Sequence, residues 1–207
     1  MLSLEVWRGD ERVRLRQLLL VQPPNRIRVD TLSPFDQPLA MMASDGQIVT
    51  IYSIEKQRFE QGPATQDHLA RLLRLPLTGE ELAAIMAGGV PIPTGAVTTL
   101  DWDDETGVWV LGVAVRESGR RQRIAVEPAA FRVVELRTWQ NEQLVFLARF
   151  GDYDGSEATS IPRRMHFEVA GERLRVDARF EDHIVNVVPP PDAFTIPAPR
   201  GIPVSPL

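Results

Sequence analysis

The sequence predicts a mainly β protein, an incomplete antiparallel β-barrel in which a curled sheet carries a short α-helical lid over an apolar cavity. About a dozen strand-like segments alternate apolar and polar residues, and short turns join most of them, which is typical of antiparallel neighbours. A sheet with that many strands is expected to curl into a barrel or half-barrel. One pair of helical segments interrupts the strands, and its apolar stripe is expected to cover the open mouth of the sheet.

The first run of strands is predicted to form a meander. Its turns are indicated by Gly9-Asp10, Pro23-Pro24-Asn25 and Asp45-Gly46. Asp45-Gly46 suits a tight primed hairpin turn, because glycine accepts a positive φ without steric cost. The strands predicted in this run cover residues 2–8, 12–22, 26–31, 39–44, 47–54 and 57–62.

The turn between the third and fourth predicted strands places an aromatic ring at its tip. Pro34 and Pro38 bracket the segment Leu32-Ser33-Pro34-Phe35-Asp36-Gln37-Pro38. Because turn tips are usually polar, Phe35 either folds back over its own sheet, docks on a partner or enters a membrane surface. From this turn alone we expect the ring to fold back, since single apolar residues near a surface are ordinary.

Residues 65–88 form the predicted lid. A first helical segment ends before Pro76, and a second begins at Thr78, which has the capping-box spacing to Glu81 and is followed by a stop at Gly88. Leucines recur at helical spacing in the first segment, and large apolar residues do so in the second. The residues expected to roof the cavity are Leu69, Leu72, Leu73, Leu82, Ile85 and Met86.

A second run of strands follows the lid. The predicted strands cover residues 98–102, 107–116, 122–127, 131–139, 143–150, 163–169 and 173–180, the last continuing toward Val185. Residues 1–186 are thus predicted to form one domain, and residues 187–207 a proline-rich tail. Phe194, Ile196 and Ile202 are expected to pin this tail to the domain as an extended edge segment.

Composition and motifs exclude several function classes. The formal net charge of −5 argues against general nucleic-acid binding, and without cysteine there is no disulfide, thiolate metal site or cysteine nucleophile. His68, His166 and His183 lack metal-ligand spacing, and no phosphate loop or nucleophile elbow is present. We therefore predict no metal, no cofactor and no enzymatic activity.

No segment has the length of a transmembrane helix, and no signal-like segment precedes the first strand. This indicates either a cytosolic protein or one whose targeting segment has been removed.

Three stretches together resemble the LolB family of bacterial outer-membrane lipoprotein receptors and their LolB-like relatives. They are the turn at residues 32–36, the lid sequences at 69–77 and 82–91, and Phe150-Gly151-Asp152-Tyr153 followed by Ile161-Pro162-Arg163-Arg164-Met165. The resemblance covers residues 2–185 in the order of elements.

The resemblance implies a function. Such proteins bind acyl chains of lipoproteins in the cavity of the half-barrel, receive them from the LolA carrier of the periplasm, and pass them into the inner leaflet of the outer membrane. A protruding loop with an apolar tip performs the last step. Pro34 and Phe35 stand at that position, so the resemblance favours membrane contact of the Phe35 ring over folding back.

The receptor is anchored through an acylated amino-terminal cysteine, which this sequence lacks, so the anchor and signal peptide are expected upstream in the native protein. A monomer is expected. The lining residues expected on the strands are Leu19, Val29, Met41 and Trp109.

Two other functions remain open from the sequence. One is a soluble periplasmic carrier of lipoproteins or lipids with the same fold, which never anchors. The other is a partner-binding β scaffold whose interior is filled by its own side chains.

Overall fold

The computed structural model describes residues 1–65, 67–69, 75–90, 92–93, 96–115, 118–154 and 160–207. These residues form fourteen strands and only short helical segments, so the predicted mainly β class is confirmed. The elements are β1 (Leu2–Arg8), β2 (Glu11–Gln22), β3 (Arg26–Leu32), β4 (Pro38–Ser44), β5 (Ile48–Ser53), β6 (Arg58–Pro63), α1 (Gly79–Met86), β7 (Val97–Asp103), β8 (Val108–Val115), β9 (Arg120–Val126), β10 (Val133–Gln140), β11 (Gln143–Tyr153), β12 (Pro162–Val169), a 3₁₀ turn (Ala170–Glu172), β13 (Leu174–Phe180) and β14 (Val204–Pro206).

Hydrogen bonding links the strands into a single unclosed sheet. Their order is β14-β6-β5-β4-β3-β2-β1-β13-β12-β11-β10-β9-β8-β7, so β14 and β7 are its edges among the described residues. Every pair from β2 to β6 and from β7 to β13 is antiparallel, as the short turns predicted. The exception is β14, which lies parallel to β6.

The chain divides into two compact units. The first unit contains residues 1–4, 14–86 and 180–207, and the second contains residues 5–13 and 87–179. Both units are therefore built from segments distant in sequence, and each has its own buried apolar residues.

In the first unit, the strand register sorts the side chains onto two faces. Leu19 pairs with Val29, Val29 with Met42, and Met42 with Ile51, so these four residues form one row across β2, β3, β4 and β5. We call this row the apolar row, and the side of the sheet that carries it the row face. The residues between them along each strand, such as Met41, point to the opposite face.

The carboxyl-terminal tail packs on the face opposite the apolar row. Ala43, Phe59 and Ile196 form a buried cluster, and Met41, Tyr52 and Ile202 pack against it. Phe194 is also buried. Residues 204–206 then pair with β6. We call this side of the first unit's sheet the tail face.

Helix α1 begins with the capping box that the sequence predicts. The Glu81 backbone N–H donates to Thr78 Oγ1 at 3.1 Å, and the Thr78 N–H donates to Glu81 Oε2 at 2.9 Å. Gly88 has a φ of 82° just past the helix, which a glycine adopts readily. Leu82, Ala83 and Ile85 are buried, and α1 contacts β3.

The strand predicted to continue toward Val185 ends at Phe180. Just past it, the Glu181 N–H donates to the Met1 carbonyl at 2.9 Å, and the Met1 amino group donates to the Asp182 carbonyl at 3.4 Å. The His183 ring then folds against the Phe180 ring, with 4.6 Å between the ring centroids. Apolar side chains alone do not continue a strand, because each residue also needs a neighbouring backbone to pair with.

In the second unit, one face of the sheet is apolar and the other is ionic. Ile124, Leu136 and Ala148 lie side by side in register and are buried. The opposite face carries charges that alternate from strand to strand. Its ion pairs include Arg123 with Asp103 and Glu135, Arg137 with Glu135, Arg149 with Glu135 and Glu168, and His166 with Glu168 and Asp177.

The Asp45-Gly46 turn between β4 and β5 is held by a carboxylate. Gly46 has a φ of 94°, as this turn requires. Asp45 Oδ1 accepts the backbone N–H groups of Gln47 and Ile48, each at 2.8 Å. Burial raises the pKa of Asp45, but these two hydrogen bonds and the charge of Arg26 outweigh it, so the pKa lies below its ordinary value of 3.8.

This shift predicts a pH-dependent contribution to stability. A carboxyl whose folded pKa is depressed stabilises the fold above its unfolded pKa, and the contribution disappears as the pH falls through the folded pKa. The difference in free energy of unfolding between the wild type and Asp45→Asn should therefore be constant near neutral pH and shrink below about pH 4. Urea unfolding from pH 7 to pH 3 measures it, and a difference that stays unchanged over this range would contradict the assignment.

Candidate functional site

The turn that carries Phe35 is braced by hydrogen bonds. The Ser33 N–H donates to the Gln37 carbonyl at 2.8 Å, and the Asp36 N–H donates to the Ser33 carbonyl at 3.0 Å. Ser33 Oγ accepts from the N–H groups of Phe35 and Gln37, both at 3.2 Å. On β2, Arg16 reaches Asp36 Oδ1 at 2.5 Å. The turn is thus fixed at its base and from the side.

Phe35 itself is left in solvent. Its relative exposure is 86%, the largest among the aromatic residues that the structure shows exposed. The ring does not fold back over the sheet, so the expectation from the turn alone was wrong. Pro34 beside it is exposed too. An exposed ring on a braced turn is suited to contact an external apolar surface.

The structure brings together two of the predicted lining residues. Leu19 and Val29 are direct neighbours in the apolar row, and both are half-buried. Met42 and Ile51 complete the row and were missed by the sequence analysis. Alternation along β4 separates Met42 from Met41, but the pairing that places Met42 beside Val29 is seen only in the structure.

Met41 points to the tail face, whereas Leu19 and Val29 belong to the apolar row. It lines a cavity of about 530 Å³ within the first unit, between β2 to β5 and the tail, and Leu19 also lines part of it. Arg28 crosses this cavity, pairing with Asp30 at 3.0 Å and donating to the Ala193 carbonyl at 3.2 Å. The tail cavity therefore has an apolar wall and one ion pair. Its lining residues are Leu18, Leu19, Leu20, Arg28, Asp30, Met41, Tyr52, Pro190, Asp192, Ala193, Thr195, Ile196, Pro197 and Pro199.

Four of the six residues predicted to roof the cavity are described, and they lie in the helical segments of the first unit. Leu82 and Ile85 are buried on α1, and Met86 is half-buried at its end. Leu69 is buried in a helical turn at residues 67–69 and lines a smaller cavity of about 280 Å³ with Thr78 and Gly79. Leu72 and Leu73 lie outside the described residues.

Trp109 belongs to the second unit. It lies on β8, where it is half-buried and packs edge-on against Trp102 with 5.1 Å between the ring centroids. It lies on the same side of β8 as Leu111, which pairs with Ile124 of the apolar face. Its role in lining a cavity remains a prediction.

The three histidines have ordinary partners. His68 Nδ1 lies 2.7 Å from the Pro63 carbonyl, His166 lies between two carboxylates, and His183 packs on Phe180. In the described part of the chain, no three His, Asp or Glu side chains are grouped to hold a metal ion. Across the same residues, no helix combines the length and apolar character needed to cross a bilayer.

A mainly β fold with one unclosed sheet and few helices has counterparts among known structures. No protein-family model and no curated protein matches this chain. A LolA superfamily protein from Nitrosomonas europaea is 13% identical, with a TM-score of 0.62 over 94% of this chain and 88% of that one.

Two further structures show the same likeness. A putative outer membrane lipoprotein-sorting protein domain from Vibrio parahaemolyticus is 14% identical, with a TM-score of 0.60 over 93% of this chain and 86% of that one. A DUF1329 family protein from Desulfovibrio piger is 11% identical, with a TM-score of 0.63 over the same shares. The chain therefore has the fold of LolA superfamily proteins.

Proposed function

We propose that this protein works in the bacterial envelope as a lipoprotein receptor, which binds the acyl chains of lipoproteins and delivers them into the inner leaflet of the outer membrane. The fold supports this proposal, because one of its structural neighbours is described as a lipoprotein-sorting domain and another as a LolA superfamily protein. No catalysis is involved in this function, and the cargo would arrive from a LolA-like periplasmic carrier.

The observation that carries the proposal is the exposed ring of Phe35. A carrier that only shuttles cargo through water gains nothing from a large apolar side chain held in solvent. A protein that delivers cargo to a bilayer gains a contact there, since a phenylalanine ring is favourable in the interfacial region. Bracing by Ser33 and Arg16 keeps the ring extended before contact, so little conformational freedom is lost on binding.

The apolar row is the surface proposed to hold the acyl chain. Its four members, of which Met42 is buried and the other three are half-buried, lie side by side across four strands, which spans roughly 15 Å at the usual strand spacing. Each methylene kept from water is worth roughly 0.8 kcal/mol, so an acyl chain needs such a continuous apolar track during transfer. Helix α1, which contacts β3, would close over the track.

The proposal is tested with two double variants, one that places polar side chains on the row face and one that places them on the tail face. Leu19→Gln combined with Val29→Thr should weaken binding of a dansylated C16 fatty acid about tenfold, because the substituted side chains put polar atoms against the chain. The matched control is Leu18→Gln with Met41→Gln on the tail face, which should leave the affinity unchanged. Circular dichroism melts establish that both double variants fold.

The outcomes separate the candidate functions. Loss of binding in the control only would place the acyl chain in the tail cavity and overturn the assignment of the apolar row. No uptake of the probe by the folded wild type would overturn the carrier function and favour a scaffold with a filled core. Uptake without delivery to vesicles would favour the soluble carrier over the receptor.

A further inference from the structure

Strand β7 is an open edge of the sheet. Among the described residues it pairs with β8 alone, so its outer side carries backbone N–H and C=O groups that have no strand partner. Residues 98–102 are exposed one after another, on both faces of the strand. The described part of the chain therefore leaves this edge uncovered.

The two edges of the sheet differ in the features that prevent pairing with another chain. Natural edges are protected by short strands, proline and irregular register. β14 has three residues and ends in Pro206. β7 has seven residues without proline or glycine, and its register with β8 runs from Val97 to Asp103 without a bulge. The backbone of β7 is thus suited to accept a further strand.

One face of β7 presents apolar side chains beside the open backbone. Leu100 is 64% exposed and Trp102 is 43% exposed. Their register partners on β8 are Leu111 and Trp109, which are both half-buried. A strand added to β7 would cover Leu100 and Trp102, and tryptophan is one of the residue types that contribute most to binding at protein interfaces.

The other face of β7 and the turn after it are acidic. Asp101 lies on this face, and Asp104 and Glu105 follow in the turn. In the part of the chain that the structure describes, none of these three carboxylates has an ion pair. Asp103 is paired with Arg123 at 2.8 Å. The charge at this edge is therefore complementary to a basic partner.

The same carboxylates oppose a second copy of this chain as the partner. In an antiparallel pair of β7 strands centred on Asp101, the two Asp101 side chains would lie directly opposite each other, which is destabilising. In a pair centred on Leu100, they would be diagonal neighbours on the same face. A strand with basic side chains at these positions meets no such repulsion.

We propose that β7 is a docking edge for an extended segment of another protein, in which aliphatic residues alternate with basic ones. The segment adds as a further strand, so its backbone pairs with the open groups of β7. Its aliphatic side chains cover Leu100 and Trp102, and its basic side chains face Asp101. The inference is independent of the proposed function, because the Phe35 turn and the apolar row belong to the first unit and β7 to the second.

The probe for the test is a fluorescein-labelled peptide of sequence Arg-Val-Arg-Val-Thr-Val-Thr. Added antiparallel to β7, it places its arginines opposite Asp103 and Asp101. Its valines then lie opposite Trp102, Leu100 and Thr98. Fluorescence anisotropy should show saturable binding, and a peptide with glutamate in place of both arginines should bind at least about tenfold more weakly.

N-methylated peptides distinguish strand addition from charge attraction alone. In an antiparallel pair, only alternate residues of the peptide direct their N–H groups toward β7. Methylating one alternate set of N–H groups should lower the affinity at least about tenfold, while methylating the other set should change it less than about threefold. Equal effects of the two sets would overturn strand addition.

A charge reversal in the protein locates the binding site. Asp101→Lys should weaken binding of the arginine peptide at least about tenfold and strengthen binding of the glutamate peptide. The matched control is Asp10→Lys, which makes the same charge change in the turn after β1, six strands away from β7 in the order of the sheet. It should leave both affinities unchanged. Both aspartates are exposed, so neither thermal melt should move.

The remaining outcomes separate this inference from its alternatives. Equal affinities in Asp101→Lys and the wild type, or no binding by the folded wild type at up to about 1 mM, would overturn the docking edge. A wild type that sediments as a dimer, and that Leu100→Asp returns to a monomer, would show that a second copy covers β7. Binding of the dansylated fatty acid should be the same in Asp101→Lys as in the wild type, so either result for the peptide leaves the proposed function to its own test.

Discussion

Phe35→Glu is expected to lower the delivery of lipoprotein to vesicles at least tenfold while cargo binding stays unchanged. The wild-type ring gains free energy on entering the interface, whereas a carboxylate there is unfavourable, so one substitution reverses the sign of the contact. Stability should change by less than about 0.5 kcal/mol, because the side chain touches little of the folded protein. The measurement is transfer of a labelled lipoprotein from the loaded protein to liposomes, with retained cargo counted in parallel.

Phe131 supplies the control for this experiment. It is a second exposed phenylalanine at a turn, 68% exposed with a φ of 54°, and it lies in the second unit. Phe131→Glu should leave transfer and binding at wild-type levels, whereas Phe35→Leu should retain most of the transfer. Equal losses for both glutamate variants would mean that added charge, and not the position of the ring, limits delivery. Normal transfer by Phe35→Glu would remove the turn from the mechanism.

Elements with a local physical cause were predictable from the sequence. Alternation located the strands to within a residue or two at most ends, and the capping-box spacing of Thr78 and Glu81 located the start of α1. Gly46 marked its turn because few other residues accept the φ that the turn requires. In each case, the residues that determine the structure lie within a few positions of one another.

Features that depend on pairing between distant segments were not predictable in the same way. Alternation shows that Met41 and Met42 point to opposite faces, but only the register with β3 places Met42 beside Val29. That register includes an irregularity between Thr31 and Leu32, just before the Phe35 turn. The parallel pairing of β14 with β6 joins residues as distant in sequence as Val204 and Phe59, and no short turn signals it.

The exposure of residues 184–188 illustrates the same limit of prediction from sequence. Ile184, Val185, Val187 and Val188 have the composition of a strand, and the sequence predicts that β13 continues into them. The structure ends β13 at Phe180 instead, and residues 182–188 adopt no strand pairing. Composition alone does not distinguish an apolar segment that pairs from one that is presented to an external surface.

The tail is expected to be part of the folded first unit, and Phe59→Ala should show it. Phe59 is 2% exposed and is buried with Ala43 and Ile196, so its truncation removes a ring from between the sheet and the tail. We expect a loss of about 3–5 kcal/mol in the free energy of unfolding. Val204→Ala is the matched control, since Val204 pairs with Phe59 through the backbone but its side chain is exposed, and its effect should stay within about 0.5 kcal/mol.

A double-mutant cycle then tests whether the tail contact itself carries the effect. Ile196→Ala alone should cost about 2–5 kcal/mol, because it leaves a cavity against Phe59. If the two side chains support each other, the double variant should lose less than the sum of the single losses, by roughly 0.5–3 kcal/mol. Chemical denaturation of the four proteins measures the coupling. Strictly additive losses would mean that the tail and β6 are stabilised independently, and the tail would then be a separate strap and not part of the core that positions the sheet.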